Sequence, residues 1–132
     1  MGELIMKKHV TAVGAIHTGL GLIGIVAAVI AFFAINFAKG FVEGDEIPYM
    51  VLKFLSLSIP IFIGFLSTFA LVGGIGLLML YSWARYLGIV VAALECFIIP
   101  VGTFIGVYSL WVLFQNDTIN LFENKTPSKI DL

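Results

Sequence analysis

Apolar residues run almost without interruption through the middle of the chain. Between Val10 and Gln115 there are only seven charged side chains, and five of them lie within one short window. The seven are Lys39, Glu43, Asp45, Glu46, Lys53, Arg85 and Glu95. A water-soluble domain needs charged side chains on its outer face, so this pattern predicts an integral membrane protein.

Polar and helix-breaking residues divide the apolar sequence into predicted helices. We expect an all-α bundle of four transmembrane helices at residues 10–37, 52–80, 84–99 and 102–115, forming a single transmembrane domain over residues 1–132. Pro100 and Gly102 separate the last two helices, because both residue types interrupt helices. These two helices are short for a full span. A re-entrant hairpin, or a fourth helix extended through residues 116–122, is therefore an alternative.

The distribution of lysine and arginine predicts the orientation in the membrane. With the N-terminus in the cytoplasm, five basic residues face inward: Lys7, Lys8, Arg85, Lys125 and Lys129. Only Lys39 and Lys53 then lie outside, beside the acidic group Glu43, Asp45 and Glu46. The positive-inside rule thus favours cytoplasmic N- and C-termini, which agrees with an even number of spans.

Composition excludes several classes of function. The formal net charge is −1, so binding to nucleic acid has no electrostatic basis. The single cysteine, Cys96, excludes an intrachain disulfide and an all-cysteine metal site. No arrangement of residues typical of a nucleophile, a phosphate loop or a zinc helix occurs, so we expect no enzymatic activity, no metal site and no cofactor. The acidic group is typical of a solvated loop, with a hard-cation site as the weaker interpretation.

Small residues recur along the predicted helices. Gly14, Gly21 and Gly24 form a smooth stripe with His17 on the first helix, and Gly102 and Gly106 are spaced by one turn on the fourth. Small residues allow close approach of helix backbones in lipid. We interpret these stripes as packing within the bundle. The alternative is that one of them, above all that on the fourth helix, contacts another subunit.

Glu95 and His17 are the two polar residues that carry a chemical hypothesis. A carboxyl group in mid-span is costly unless it is protonated, paired or hydrated. Counted from the inner end, Glu95 lies ~15 Å and His17 ~11 Å into their helices. These depths are close enough for a hydrogen bond if the small-residue stripes of the two helices face each other. Our hypothesis is that the two side chains form a buried pair. The pair would hold the helices together, with a proton or cation site as the alternative and a haem or metal ligand role for His17 as the weakest.

Two blocks in the second half resemble a known group of proteins. They are Trp83-Ala84-Arg85-Tyr86-Leu87-Gly88-Ile89 and the stretch from Pro100-Val101-Gly102-Thr103 through Tyr108-Ser109-Leu110-Trp111-Val112-Leu113. These blocks resemble a widespread group of small bacterial membrane proteins with four predicted helices and no assigned activity. The resemblance covers about a third of the chain and implies the fold and a bacterial origin. It implies no role for Glu95.

Size and composition together favour a non-enzymatic function. We expect a small structural or accessory subunit in a bacterial inner membrane, which would act with other membrane proteins or as a homo-oligomer. A bundle with two short helices buries little surface, and its glycine grooves favour neighbours. The alternative is a small ion, proton or solute channel or carrier that uses Glu95 and His17.

Overall fold

The described part of the protein, in a computed structural model, comprises residues 2–42, 44 and 46–124. Within these residues the chain is all-α and contains no strand. The five helices are α1 (Gly2–Lys39), α2 (Glu46–Leu78), α3 (Ser82–Glu95), α4 (Val101–Phe114) and α5 (Asn116–Glu123). The prediction of an all-α protein is confirmed, while α1 and α2 begin earlier than the predicted residues 10 and 52.

Helices α1 and α2 form a long antiparallel pair that touches backbone to backbone. A Cβ atom placed on Gly21 would lie 2.6 Å from the Leu71 nitrogen, and one on Gly74 would lie 2.5 Å from the Thr18 nitrogen. Only glycine permits this approach, because any side chain would force the helices apart. Both helices are long and apolar enough to cross a membrane.

Helices α3 and α4 form a shorter hairpin. Each contains 14 residues, which corresponds to about 21 Å, less than the ~30 Å of a hydrocarbon core. Helix α3 ends at Glu95 rather than at the predicted residue 99. In the turn, the Thr103 hydroxyl donates to the Cys96 carbonyl at 2.9 Å. By length and composition, two helices could cross a membrane, and the bundle of four spans stays a prediction.

Helix α5 is separate from α4. Gln115 has extended backbone angles and breaks the helix between them, so the alternative of one helix continued through residue 122 is wrong. The buried Thr118 hydroxyl donates to the Val112 carbonyl across the break at 2.7 Å. Phe122 thereby reaches the dry core, the cluster of buried residues Val10, Val13, Leu77, Leu80, Ala84, Val112, Leu113 and Phe122.

Burial divides the molecule into two halves. The five-helix half contains residues 2–24 and 67–124, in which α3, α4 and α5 pack against one end of the long pair. The two-helix half contains residues 25–39 and 46–66, in which α1 and α2 pack mainly against each other. Its buried side chains are Ala28 and Ser56. The five-helix half and its border therefore contain most of the buried side chains that could form a functional site.

Candidate functional site

His17 is held by its own helix. Its side chain is 1% exposed, and its Nδ1 atom lies 2.8 Å from the Val13 carbonyl oxygen, one turn earlier on α1. A carbonyl oxygen can only accept a hydrogen bond, so Nδ1 carries the hydrogen. The other ring nitrogen, Nε2, faces α3.

Glu95 meets His17 from the end of α3. The Glu95 Oε2 atom lies 3.4 Å from His17 Nε2, and the glutamate side chain is 12% exposed. The structure thus brings together the two residues that the sequence singled out. Neither of these two atoms has a hydrogen-bond partner among the described residues.

The His17–Glu95 pair is neutral when it holds one added proton. With hydrogen on Nδ1, a neutral imidazole presents Nε2 as an acceptor, and an ionised carboxylate is also only an acceptor. Two acceptors 3.4 Å apart repel unless a proton lies between them. One added proton makes the pair electrically neutral, whether the imidazole or the carboxyl carries it. Neutrality is the state that a buried, water-poor site favours.

An open cleft reaches Glu95 from the side. It has a volume of about 390 Å³ and lies where the α3–α4 turn rests against the long pair. Its walls are formed mainly by apolar side chains, among them Leu20, Phe62, Ile98 and Ile105, and its polar side chains are Ser67 and Glu95. Ser67 already donates to the Ile63 carbonyl at 2.6 Å. Glu95 is therefore the polar group that the cleft offers to a ligand.

The dry core closes the opposite side of the pair. Val13 and Val10 lie one and two turns from His17 on α1, and both are fully buried. Leu77 and Leu113 belong to the same buried core. Among residues 2–42, 44 and 46–124, these apolar side chains separate the pair from the end of the bundle where α1 begins. The pair is thus approached through the cleft.

The glycines predicted as packing or oligomer positions make contacts within the chain. Hypothetical Cβ atoms identify the neighbours: Gly14 lies against Gly74 and Leu78, Gly21 against Leu71, and Gly24 against Ser67. On α4, Gly102 lies against the Glu95 carbonyl and Ile98, and Gly106 against Ala92 and Cys96. Gly102 and Gly106 set the spacing of α3 and α4, and thereby the position of Glu95.

A second polar contact was missed by the sequence reasoning. His9 Nδ1 and the Tyr108 hydroxyl are 2.8 Å apart, and the Trp111 ring lies edge-on to His9 with the ring centroids separated by 6.1 Å. On the same side, Arg85 Nε donates to the Leu113 carbonyl at 3.0 Å. His9 and Tyr108 lie 99 residues apart in sequence. The one signal was the predicted orientation, which puts the start of the first helix and the end of the fourth at the same end of the bundle.

In the part of the chain that the structure describes, no group of three or more His, Cys, Asp or Glu side chains could hold a metal ion. Glu43 and Asp45, two of the three acidic loop residues, lie outside the described residues. The chain matches no protein-family model, no curated protein and no solved structure.

Proposed function

We propose that the protein is a non-enzymatic integral membrane protein that acts as a small structural or accessory subunit, in a complex or as a homo-oligomer. One observation carries the proposal: α1 presents a second row of small residues, Thr11, Ala15 and Gly19, that the described residues leave open. A Cβ atom on Gly19 would meet none of the described residues within 4 Å. Thr11 and Ala15 are exposed.

This open row has the composition of a helix-packing surface. Its members are spaced by four residues, so they lie along one side of α1. On the neighbouring side, Gly14 and Gly21 already contact α2. Lipid tails provide no hydrophobic drive for association, so close backbone contact through small residues is the main source of helix pairing. A helix from a second copy, or from another membrane protein, would fit the open row.

The orientation in the proposal is cytoplasmic for both termini, in a bacterial inner membrane. Its support is that Gly2 and Asp117 lie side by side, so the described beginning and end of the chain share one end of the bundle. Lys7, Lys8 and Arg85 belong to that end, whereas Lys39 lies at the other end and donates to Ser56 at 3.3 Å. In this proposal the α3–α4 hairpin enters the bilayer beside two full spans.

A second candidate function is a small carrier or channel for a proton, ion or other solute that uses Glu95 and His17. The 3.4 Å contact between the two side chains favours it. The apolar walls of the cleft and the dry core weigh against an ion pathway, because a moving ion needs polar groups or water along its route.

The subunit proposal is tested by mass analysis of the protein extracted from its membrane in mild detergent. We expect a partner in fixed ratio or a homo-oligomer. Gly19→Leu should release the partner or yield the monomer, because the bulky side chain fills the open row. The matched control is Ala34→Leu, at another exposed small residue of α1, which should leave the assembly intact. A monomeric wild type, or an assembly indifferent to Gly19→Leu, would contradict the proposal.

A further inference from the structure

The cleft beside the α3–α4 turn combines an apolar interior with one acidic group. Its volume is about 390 Å³, which lies within the range of ~300–1,000 Å³ for small-molecule sites. Glu95 lines the cleft and is 12% exposed, and behind it the buried His17 Nε2 atom lies 3.4 Å from Glu95 Oε2. A lipid tail could fill the apolar volume, but it would bring neither a positive charge nor a hydrogen-bond donor to Glu95.

We propose that this cleft binds a lipophilic ammonium compound, which replaces the proton shared by His17 and Glu95. The proposal goes beyond the subunit function and applies whether the chain acts alone or in an assembly. The ligand would place its alkyl or aromatic body against the apolar walls and its ammonium group at Glu95. An ammonium group carries positive charge and donates hydrogen bonds, and the carboxylate of Glu95 needs both.

The apolar part of the ligand follows from the lining of the cleft. Leu20 of α1, Phe62 of α2 and Ile105 of α4 surround the volume on three sides. A small hydrated cation would lose its water shell in such surroundings with one carboxylate as compensation. A cation attached to an apolar body buries that body and gains the hydrophobic contribution. The cleft therefore selects lipophilic cations over sodium or potassium.

Charge balance gives the exchange of ligand for proton. With one shared proton, the pair is neutral, so adding R–NH₃⁺ would leave one uncompensated positive charge in an apolar site. Release of the shared proton leaves the pair with a charge of −1, which the ammonium group neutralises. The balanced step is pair–H plus R–NH₃⁺ giving pair⁻·R–NH₃⁺ plus H⁺. No covalent bond other than the one to this proton changes.

The titratable groups around the cleft belong to two helices. Helix α1 contributes His17 and α3 contributes Glu95. The lining residues of α2 run from Phe62 to Ala70, and those of α4 are Val101, Gly102 and Ile105. None of these α2 or α4 residues titrates. Cys96 is turned to Gly106 of α4. Proton release on ligand binding therefore reports on the pair.

The experiment is isothermal titration calorimetry on the full chain in phosphatidylcholine nanodiscs. The probe is dodecylammonium, its uncharged match is dodecanol, and empty nanodiscs supply the correction for partition into lipid. Two buffers of different protonation enthalpy measure the released protons. We expect one saturable dodecylammonium site per chain, at least tenfold weaker binding of dodecanol, and one proton released per ammonium bound. The affinity should rise about tenfold per pH unit where the pair is protonated.

Variants separate the cleft from general attraction to the membrane. Glu95→Gln should weaken dodecylammonium binding at least tenfold and abolish proton release, whereas Glu123→Gln on α5 should change neither. Leu94→Trp narrows the cleft from an exposed position and should weaken binding while the helix content by circular dichroism stays constant. Equal binding of dodecanol, no proton release, or wild-type binding by Leu94→Trp would overturn the proposal. None of these results bears on the subunit proposal, which is read from the mass of the extracted assembly.

Discussion

The two halves of the molecule are stabilised in different ways. In the five-helix half, side chains from every helix interlock around a dry core, and two polar pairs, His17–Glu95 and His9–Tyr108, join α1 to the C-terminal helices. In the two-helix half, α1 and α2 pack mainly against each other, and large apolar side chains such as Phe33 and Phe65 point outward. Tertiary packing thus stabilises one half, while the other relies on helix formation and its surroundings.

The strongest test of this difference is a substitution on the face where α1 and α2 touch in the five-helix half. Gly21→Val should separate the helices, because its Cβ would lie 2.6 Å from the Leu71 backbone nitrogen. We expect a loss of about 3 kcal/mol or more in the free energy of unfolding. Circular dichroism during a titration with sodium dodecyl sulfate measures it. Ala34→Val, at an exposed position of α1 outside the open row, is the control, and an equal loss there would remove the distinction between the α2-facing and exposed sides of α1.

A smaller loss is expected where α5 joins the core. Thr118→Val keeps the shape of the side chain but removes the buried hydrogen bond to the Val112 carbonyl, at a cost of about 1–2 kcal/mol. The same unfolding titration applies. Thr68→Val is the matched control, since the Thr68 hydroxyl also donates to a carbonyl, that of Gly64, but on an exposed surface. If the two variants lose equal stability, burial does not decide the strength of the contact.

The His17–Glu95 pair should show an energetic coupling of intermediate size. We expect a double-mutant cycle with His17→Ala and Glu95→Ala to give a coupling of about 0.6–1.7 kcal/mol, the range for polar contacts between membrane helices. The single variants should each cost more than the coupling, because each leaves a buried polar group alone. Additive losses would mean that the 3.4 Å contact stabilises nothing.

The smallest effect should appear in the two-helix half. A Cβ atom on Gly64 would lie 3.8 Å from the Ala28 Cβ, an ordinary contact. Gly64→Ala should therefore change the free energy of unfolding by about 0.5 kcal/mol or less, with a gain if helix propensity dominates. A loss in the free energy of unfolding as large as that of Gly21→Val would show that both halves are packed equally closely.

The sequence predicted best what depends on local residue patterns. Gly40 and Gly44 mark the loop between the long helices, and Pro100 with Gly102 marks the turn between the short ones. The depth argument for His17 and Glu95 worked because residue number along a helix converts directly into distance. It also assumed that the small-residue stripes of the two helices face each other.

The sequence failed where tertiary contacts decide. Helix α3 ends at Glu95 although the next residues, Cys96 to Ile99, are apolar and compatible with a helix. Instead, the Cys96 carbonyl accepts a hydrogen bond from the Thr103 hydroxyl, and the Ile98 carbonyl accepts one from the Thr103 backbone N–H. Gln115 interrupts the helix between α4 and α5, although it is neither glycine nor proline. Leu80 adopts a left-handed φ of 57°, which disfavours leucine by about 1–2 kcal/mol, while its side chain is buried in the dry core.

The contact between His9 and Tyr108 has a consequence for biosynthesis. The two residues are separated by 99 positions, so the first turns of α1 find these partners only after α4 has been synthesised. Before that, α1 and α2 can already pair through Gly14, Gly21 and Gly74, which need no later segment. The contacts of the folded protein therefore allow the α1–α2 hairpin to form first, with α4 and α5 packing against it afterwards.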